Sequence, residues 1–312
     1  MKIMKRLFVA IAALALAAGT ASAQDFNAAI DAFNAGAQAL EVSKADALAQ
    51  FRSALAQFEA CEEEEAAEMV AKCKEIIPGT ILSIAKEKIN NAEYDDAVAT
   101  LNEAAAVAAE YGVDNVVAEV ADLIPNTYLR KGSTLLKNKE FAAAAEAFGQ
   151  VVALNPSDGQ ANLLLGQALL NAGDADKAIE AFTAAVENGK AEQANKLLST
   201  TFLKKGQALL KAGKNAEAIE ALMKSNDYGE SANAYKLIAS AYTKAGKSGS
   251  AIEAYKKYLE VSPNAKDAAD IMFTIAATAQ KAGDKATAKQ YYSKLASDAK
   301  YGAQAAQLLK AL

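Results

Sequence analysis

Cys61 and Cys73 are the only thiols of the chain, and the stretch that joins them, CEEEEAAEMVAKC, opens with the four carboxylates of Glu62 to Glu65. Thiols beside carboxylates admit metal ligation, redox exchange, a structural disulfide or two unpaired buried thiols. A zinc shell needs more than two thiolates, and the chain contains no histidine to complete one. A catalytic redox pair usually shows Cys-x-x-Cys, which is absent. The glutamate run reads as a solvated face, with weak calcium binding as its chemical alternative. The lack of histidine also removes His-based general bases and His-containing triads. No Gly-x-Gly-x-x-Gly, P-loop, His-Glu-x-x-His, EF-hand loop or nucleophile elbow occurs. The chain is therefore expected to be no enzyme and to hold no cofactor or metal.

The compartment bears on the cysteines. The first residues, MKIMKRLFVAIAALALAAGTASAQ, place Lys2, Lys5 and Arg6 before an apolar run from Leu7 to Ala18 and a small-x-small close at Ala21-Ser22-Ala23. This is the pattern of a secretory signal over residues 1–23, shorter than the ~20 apolar residues of a transmembrane helix. The mature chain is expected to begin at Gln24, in the periplasm of a Gram-negative bacterium or secreted, with no transmembrane segment. Without residues 1–23 the chain carries 30 basic against 38 acidic side chains, a net of −8. That balance gives it little reason to bind nucleic acid. An even cysteine count in an exported chain favours a Cys61–Cys73 disulfide. In one unbroken helix the two would stand ~18 Å apart, beyond bonding reach. A turn near Glu62–Glu65 would let them face each other across a helical hairpin, with the glutamates in the first turn of the following helix.

The elements that position these residues are helices. In ADKAIEAFTAAVEN, residues 175–188, Ala175, Ala178, Ile179, Phe182, Ala185 and Val186 fall on one helical face. No stretch alternates with a period of two. The pattern also recurs at about 34 residues.

The clearest unit, PNTYLRKGSTLLKNKEFAAAAEAFGQVVALNP at 125–156, resembles the tetratricopeptide repeat, a two-helix unit. Tyr128, Gly132, Leu135, Ala144, Phe148 and Pro156 match the six signature positions of that family. Further units follow from Gly159 (Gly166, Leu169, Ala178, Phe182), Ser199 (Phe202, Gly206, Leu209, Ala218, Leu222), Ala232 (Tyr235, Ala239, Tyr242, Ala251, Tyr255, Pro263) and Ala269 (Ala276, Ala288, Tyr292). A last helix follows Tyr301. The glycines and alanines allow close helix packing, and Gly173, Gly213, Gly246 and Gly283 suit a left-handed helix end. The N-terminal third is looser, with Gly36, Ala47, Phe51 and Ala54 in one unit and Tyr94, Ala97, Leu101 and Ala104 in another. Each is followed by an extra segment ending in Ile-Pro, at Pro78 and Pro125, read as an added helix whose successor begins at the proline. The expected fold is all-α: a right-handed α-solenoid of stacked antiparallel helix pairs, about seven units. Degenerate repeats with two added helices occupy 24–124, and a regular array with a C-terminal capping helix occupies 125–312.

The resemblance implies a concave partner-binding groove lined by the first helix of each unit. Carried over position by position, its ligand-facing residues are Asn126, Leu129, Ser133 and Leu136 in the first clear unit, and Gln160, Leu163, Gln167 and Leu170 in the second. The third supplies Thr200, Leu203, Gln207 and Leu210, and the fourth Asn233, Lys236, Ser240 and Thr243. The family's paired Lys/Arg and Asn clamp for a terminal carboxylate is missing. Leucines alternating with Ser and Gln suit an extended peptide or a partner helix. The same leucines could equally pack between units. The function this implies is an exported, non-enzymatic scaffold for protein–protein interaction in the cell envelope, similar to secreted repeat proteins of Bacteroides-like bacteria. The alternatives are a self-assembling structural protein and an envelope-assembly accessory that recruits a cell-wall or outer-membrane enzyme.

Overall fold

The computed structural model describes residues 21–312, which form α-helices joined by short turns. The leader expected over residues 1–23 therefore lies, up to residue 20, outside the described residues. The chain divides into two compact units, one ending at Lys137 and the other running from Asn138 to Leu312. Unit 1 holds α1 (Ala21–Ala39), α2 (Lys44–Glu59), α3 (Glu64–Asn90), α4 (Tyr94–Tyr111) and α5 (Asp114–Lys137). Each helix packs on the one before it, as short connections require. The predicted spacing is the one the core uses: Ala47, Phe51, Ala54, Ala97, Leu101 and Ala104 are fully buried. A Cβ on Gly36 would lie 2.8 Å from the Phe51 ring, which is why α1 needs a glycine there.

Unit 1 corrects one expectation. Neither extra segment is a separate helix. Pro78 lies inside α3 and Pro125 inside α5, so no boundary falls at 124/125 and the units part instead after Lys137. An interior proline costs about 3 kcal/mol, chiefly the lost backbone donor and the clash with the preceding turn. In α3 a stripe at every fourth residue, Met69, Cys73, Ile77, Ile81, Ala85 and Ile89, is buried on both sides of Pro78. Burying two isoleucines contributes about 3–6 kcal/mol, enough to keep the helix continuous. Both prolines are followed two residues later by a threonine whose hydroxyl donates to the carbonyl four residues back. Thr80 reaches Ile76 O at 2.9 Å and Thr127 reaches Leu123 O at 2.8 Å.

Unit 2 holds α6 (Phe141–Leu154), α7 (Gly159–Ala172), α8 (Ala175–Ala185), α9 (Ala191–Lys211), α10 (Asn215–Tyr228), α11 (Ala232–Lys244) and α12 (Ser248–Val261). It continues through α13 (Ala268–Lys281), α14 (Lys285–Lys294) and α15 (Gly302–Lys310), again with consecutive helices packed together. Phe148, Phe182, Leu198, Leu222, Ile275 and Tyr292 are buried at its centre. A Cβ on Gly166 would sit 2.5 Å from the Phe182 ring, and one on Gly206 2.6 Å from Leu222. The turns after α7, α9, α11 and α13 carry Gly173, Gly213, Gly246 and Gly283 at φ of 93°, 76°, 71° and 80°. In each, the next residue's N–H returns to a carbonyl five residues back, as in Lys247 N to Tyr242 O at 2.9 Å, which closes the helix.

One repeat start moves. The unit read from Ser199 begins eight residues earlier, because α9 runs from Ala191 behind a π-turn at Val186–Lys190. Asn188 and Gly189 break the helix there, Gly189 at φ 83°. The Asn188 carbonyl lies so close to Gly159 that a Cβ on that glycine would stand 2.2 Å from it. This turn replaces the proline missing from the second repeat.

Candidate partner-binding surface

The four unit 1 positions lie along α5. Asn126 and Ser133 are exposed, while Leu129 and Leu136 are half-buried. Both polar side chains bond locally, Asn126 Nδ2 to Asp122 O and Ser133 Oγ to Leu129 O, each at 2.7 Å.

In unit 2 the positions separate by residue type. Gln160, Thr200, Asn233, Lys236 and Thr243 are exposed on α7, α9 and α11, and Gln167, Gln207 and Ser240 are half-buried. Leu163 is 5% exposed and belongs to the core with Phe182, Leu198 and Phe202. Leu170 packs on that same cluster, and Leu203 and Leu210 pack on the cluster built around Leu222, Ile238 and Tyr255. The leucines therefore hold repeats together, and the accessible face consists of amides, hydroxyls and one lysine.

That lysine is engaged. Lys236 Nζ donates to Asp267 Oδ2 while the Tyr258 hydroxyl donates to Asp267 Oδ1, and the ammonium lies 5.7 Å from the Tyr258 ring centroid. The Lys236 and Tyr258 hydrogen bonds hold the Asp267 carboxyl below its ordinary range. The bond to Asp267, then burial, pushes the Tyr258 phenol up to about 12. The three groups tie α11, α12 and the start of α13 together. No pattern in the sequence marks them, because Asp267 sits in an irregular turn where repeat spacing carries no information. The ion pair leaves this face without a free cation at Lys236, so it lacks the means to clamp a carboxylate there.

The cysteines are both free. The turn expected near Glu62–Glu65 exists, since α2 ends at Glu59 and α3 starts at Glu64. It does not bring the thiols together. Cys61 lies in the turn itself, its Sγ 3.2 Å from Gln57 O, whereas Cys73 lies nine residues into α3, on the order of 13 Å along the axis. A disulfide needs Cα atoms within about 7 Å. Cys73 is fully buried, and burial pushes its thiol up to about 12. Burial, then the charges of Glu63 and Asp25, raises the Cys61 thiol as well. Two free thiols held in their protonated forms are poor nucleophiles and poor ligands. Among the described residues, no helix is long and apolar enough to cross a membrane.

A family model, tetratricopeptide repeat, matches residues 129–194 and 203–269, less than half of the chain. No curated protein matches. Among solved structures, the MamA protein is 22% identical over 58% of this chain and 94% of its own, with a TM-score of 0.36. MamA from Desulfovibrio magneticus RS-1 is 20% identical over 55% and 92%, with a TM-score of 0.34. YrrB, described as a TPR protein with an unusual peptide-binding site, is 16% identical over 65% and 91%, with a TM-score of 0.33. The family match falls on the helices that carry the Gly166–Phe182 and Gly206–Leu222 contacts.

Proposed function

We propose that the chain is an exported, non-enzymatic repeat scaffold of a Gram-negative cell envelope, and that it holds a protein partner on the polar face of α7, α9 and α11. The observation that carries the reading is the exposure of Gln160, Thr200 and Asn233 at successive ligand-facing positions while the leucines between them are packed away. Such a face offers hydrogen bonds to the backbone of an extended peptide and supplies no large apolar anchor. The tetratricopeptide match over both segments supports a binding role, and the leader pattern of residues 1–23 supports export. Kinship with secreted repeat proteins of Bacteroides-like bacteria is part of this proposal and rests on the leader and repeat patterns of the sequence.

Peptides selected from a display library on the full chain test it, with affinity read by fluorescence anisotropy. Replacing Gln160 and Asn233 together with Arg is expected to weaken the selected peptides at least about tenfold, roughly 1.4 kcal/mol. Leu163 is unsuitable for this purpose because a charge there would unfold the core. Peptides that bind the double variant unchanged would move the partner site off this face. Export is read separately from the N-terminal sequence of the protein recovered from a periplasmic fraction, which should begin at Gln24.

A further inference from the structure

The two units differ in charge. Over residues 24–137, nine Lys and Arg face twenty Asp and Glu, a net of −11; over 138–312, twenty-one face eighteen, a net of +3. In unit 2, six of the twenty-one lysines flank the turns after α9, α11 and α13. Lys211 and Lys214 flank the first turn, Lys244 and Lys247 the second, Lys281 and Lys285 the third, and all six are exposed. Helix chemistry explains half of them. Lys211, Lys244 and Lys281 end their helices, where a cation meets the negative end of the helix dipole. Lys214 and Lys247 occupy the opposite situation, as the capping residues at the positive ends of α10 and α12. Neither offers an acceptor to the free N–H groups there, whereas Asp174 and Asp284 at the matching positions do so. Two adjacent repeats thus give up a cap and accept charge of the wrong sign. Two acids adjoin the strip, Glu217, which pairs with Lys214, and Asp284 beside Lys285 in the third turn; Lys285 itself donates to the carbonyl of Leu312. Among the described residues Lys211, Lys244, Lys247 and Lys281 form no ion pair.

We propose that this lysine strip of unit 2 docks on the acidic unit 1 of a second copy of the chain. Charge complementarity selects that occupant: the chain itself carries a surface of net −11, with the exposed Glu62, Glu64 and Glu65 as its densest stretch. Such a contact joins different surfaces of the two copies, so it can continue from copy to copy. It leaves Gln160, Thr200 and Asn233 outside the contact and does not rest on the peptide-binding reading.

Sedimentation velocity of the full chain, over a concentration series at about 0.02 M and about 0.5 M salt, tests the proposal. The mass should rise with concentration at low salt and return to that of one chain at high salt. The Lys211→Glu/Lys244→Glu/Lys247→Glu variant should stay a single chain at low salt, as should Glu62→Lys/Glu64→Lys/Glu65→Lys. Mixing the two should restore association, because each retains the surface the other lacks. Should the glutamate variant fail to fold, the salt series and the lysine variant decide the matter, since those lysines make no internal ion pair. A single-chain mass for the unaltered protein at low salt overturns the proposal, and so does association that ignores salt or survives the lysine changes. Sedimentation with phosphatidylglycerol vesicles by a protein that remains a single chain would assign the strip to lipid and also overturn it.

Discussion

Asp267 shows how one carboxylate can organise three helices. Its oxygens accept from Lys236 of α11 and Tyr258 of α12, and it stands just before α13. Because its folded carboxyl is held low, its contribution is present above the ordinary carboxylate range and is lost as pH falls through the lowered value. The Tyr258 contribution has the opposite sign: it is present below pH 10 and disappears as pH rises through about 12. Replacing Asp267 with Asn is expected to destabilise the protein by about 1 kcal/mol, the value of a partly solvated charged hydrogen bond after screening. It should also return the Tyr258 phenol towards its ordinary range. Denaturant unfolding reads the first effect and ultraviolet titration of the phenolate the second. A Tyr258 titration that does not move would separate the two groups.

At the level of elements, the helix pairs depend on two kinds of close position. One is the interior glycine: Gly166→Ala drives a methyl into the Phe182 ring and should cost about 1–3 kcal/mol, since the aromatic core around it is filled. The other is the left-handed turn residue. Five turns of unit 2 use glycine, but Ala92, between α3 and α4, and Lys139, before α6, adopt φ of 63° and 66° with a side chain present; of these Ala92 is the simpler test. That conformation costs an L-residue about 1–2 kcal/mol. Ala92→Gly should therefore raise stability by up to about 1 kcal/mol, after the added freedom of the unfolded chain is subtracted. Thermal unfolding of the two variants should shift in opposite directions. The KAG turns were legible in the sequence because glycine marks them. The NAE turn at Ala92 was not, because its residue types do not report its backbone. The continuity of α3 and α5 was missed for a related reason: proline is a strong local signal, and only burial on both sides of it shows when it is overridden.

At the scale of the molecule, each unit is a stack whose interior is the sum of neighbour contacts, so its ends need covering. In unit 2 that role falls to α15. Ala305 is buried against the last pair, Leu308 and Leu309 lie half-buried on the same cluster, and Tyr301, which leads into α15, stacks on Phe273 at 4.6 Å. Removing residues 302–312 should expose this aromatic end, lower the melting temperature and produce a concentration-dependent rise in light scattering. A truncated chain with unchanged melting would show that the cap is dispensable. The charge division between the units belongs to this scale too, since it emerges only when residues are summed over the compact bodies in which they fold.

Composition and spacing by themselves determined that the chain is helical, which turns of its second half close on glycine, and which alanines and interior glycines are buried. Those properties follow from short-range rules: a helical period, a turn residue, a small side chain where two helices touch. Tertiary structure decided what such rules leave open. It buried Leu163 in the core and packed the half-buried Leu170, Leu203 and Leu210 against it, because burial depends on the neighbouring repeat and not on the helix that carries them. It kept Cys61 and Cys73 apart, because the start of α3 fixes their separation. It also gathered exposed lysines from three turns onto one edge, an arrangement that exists only once the repeats are stacked.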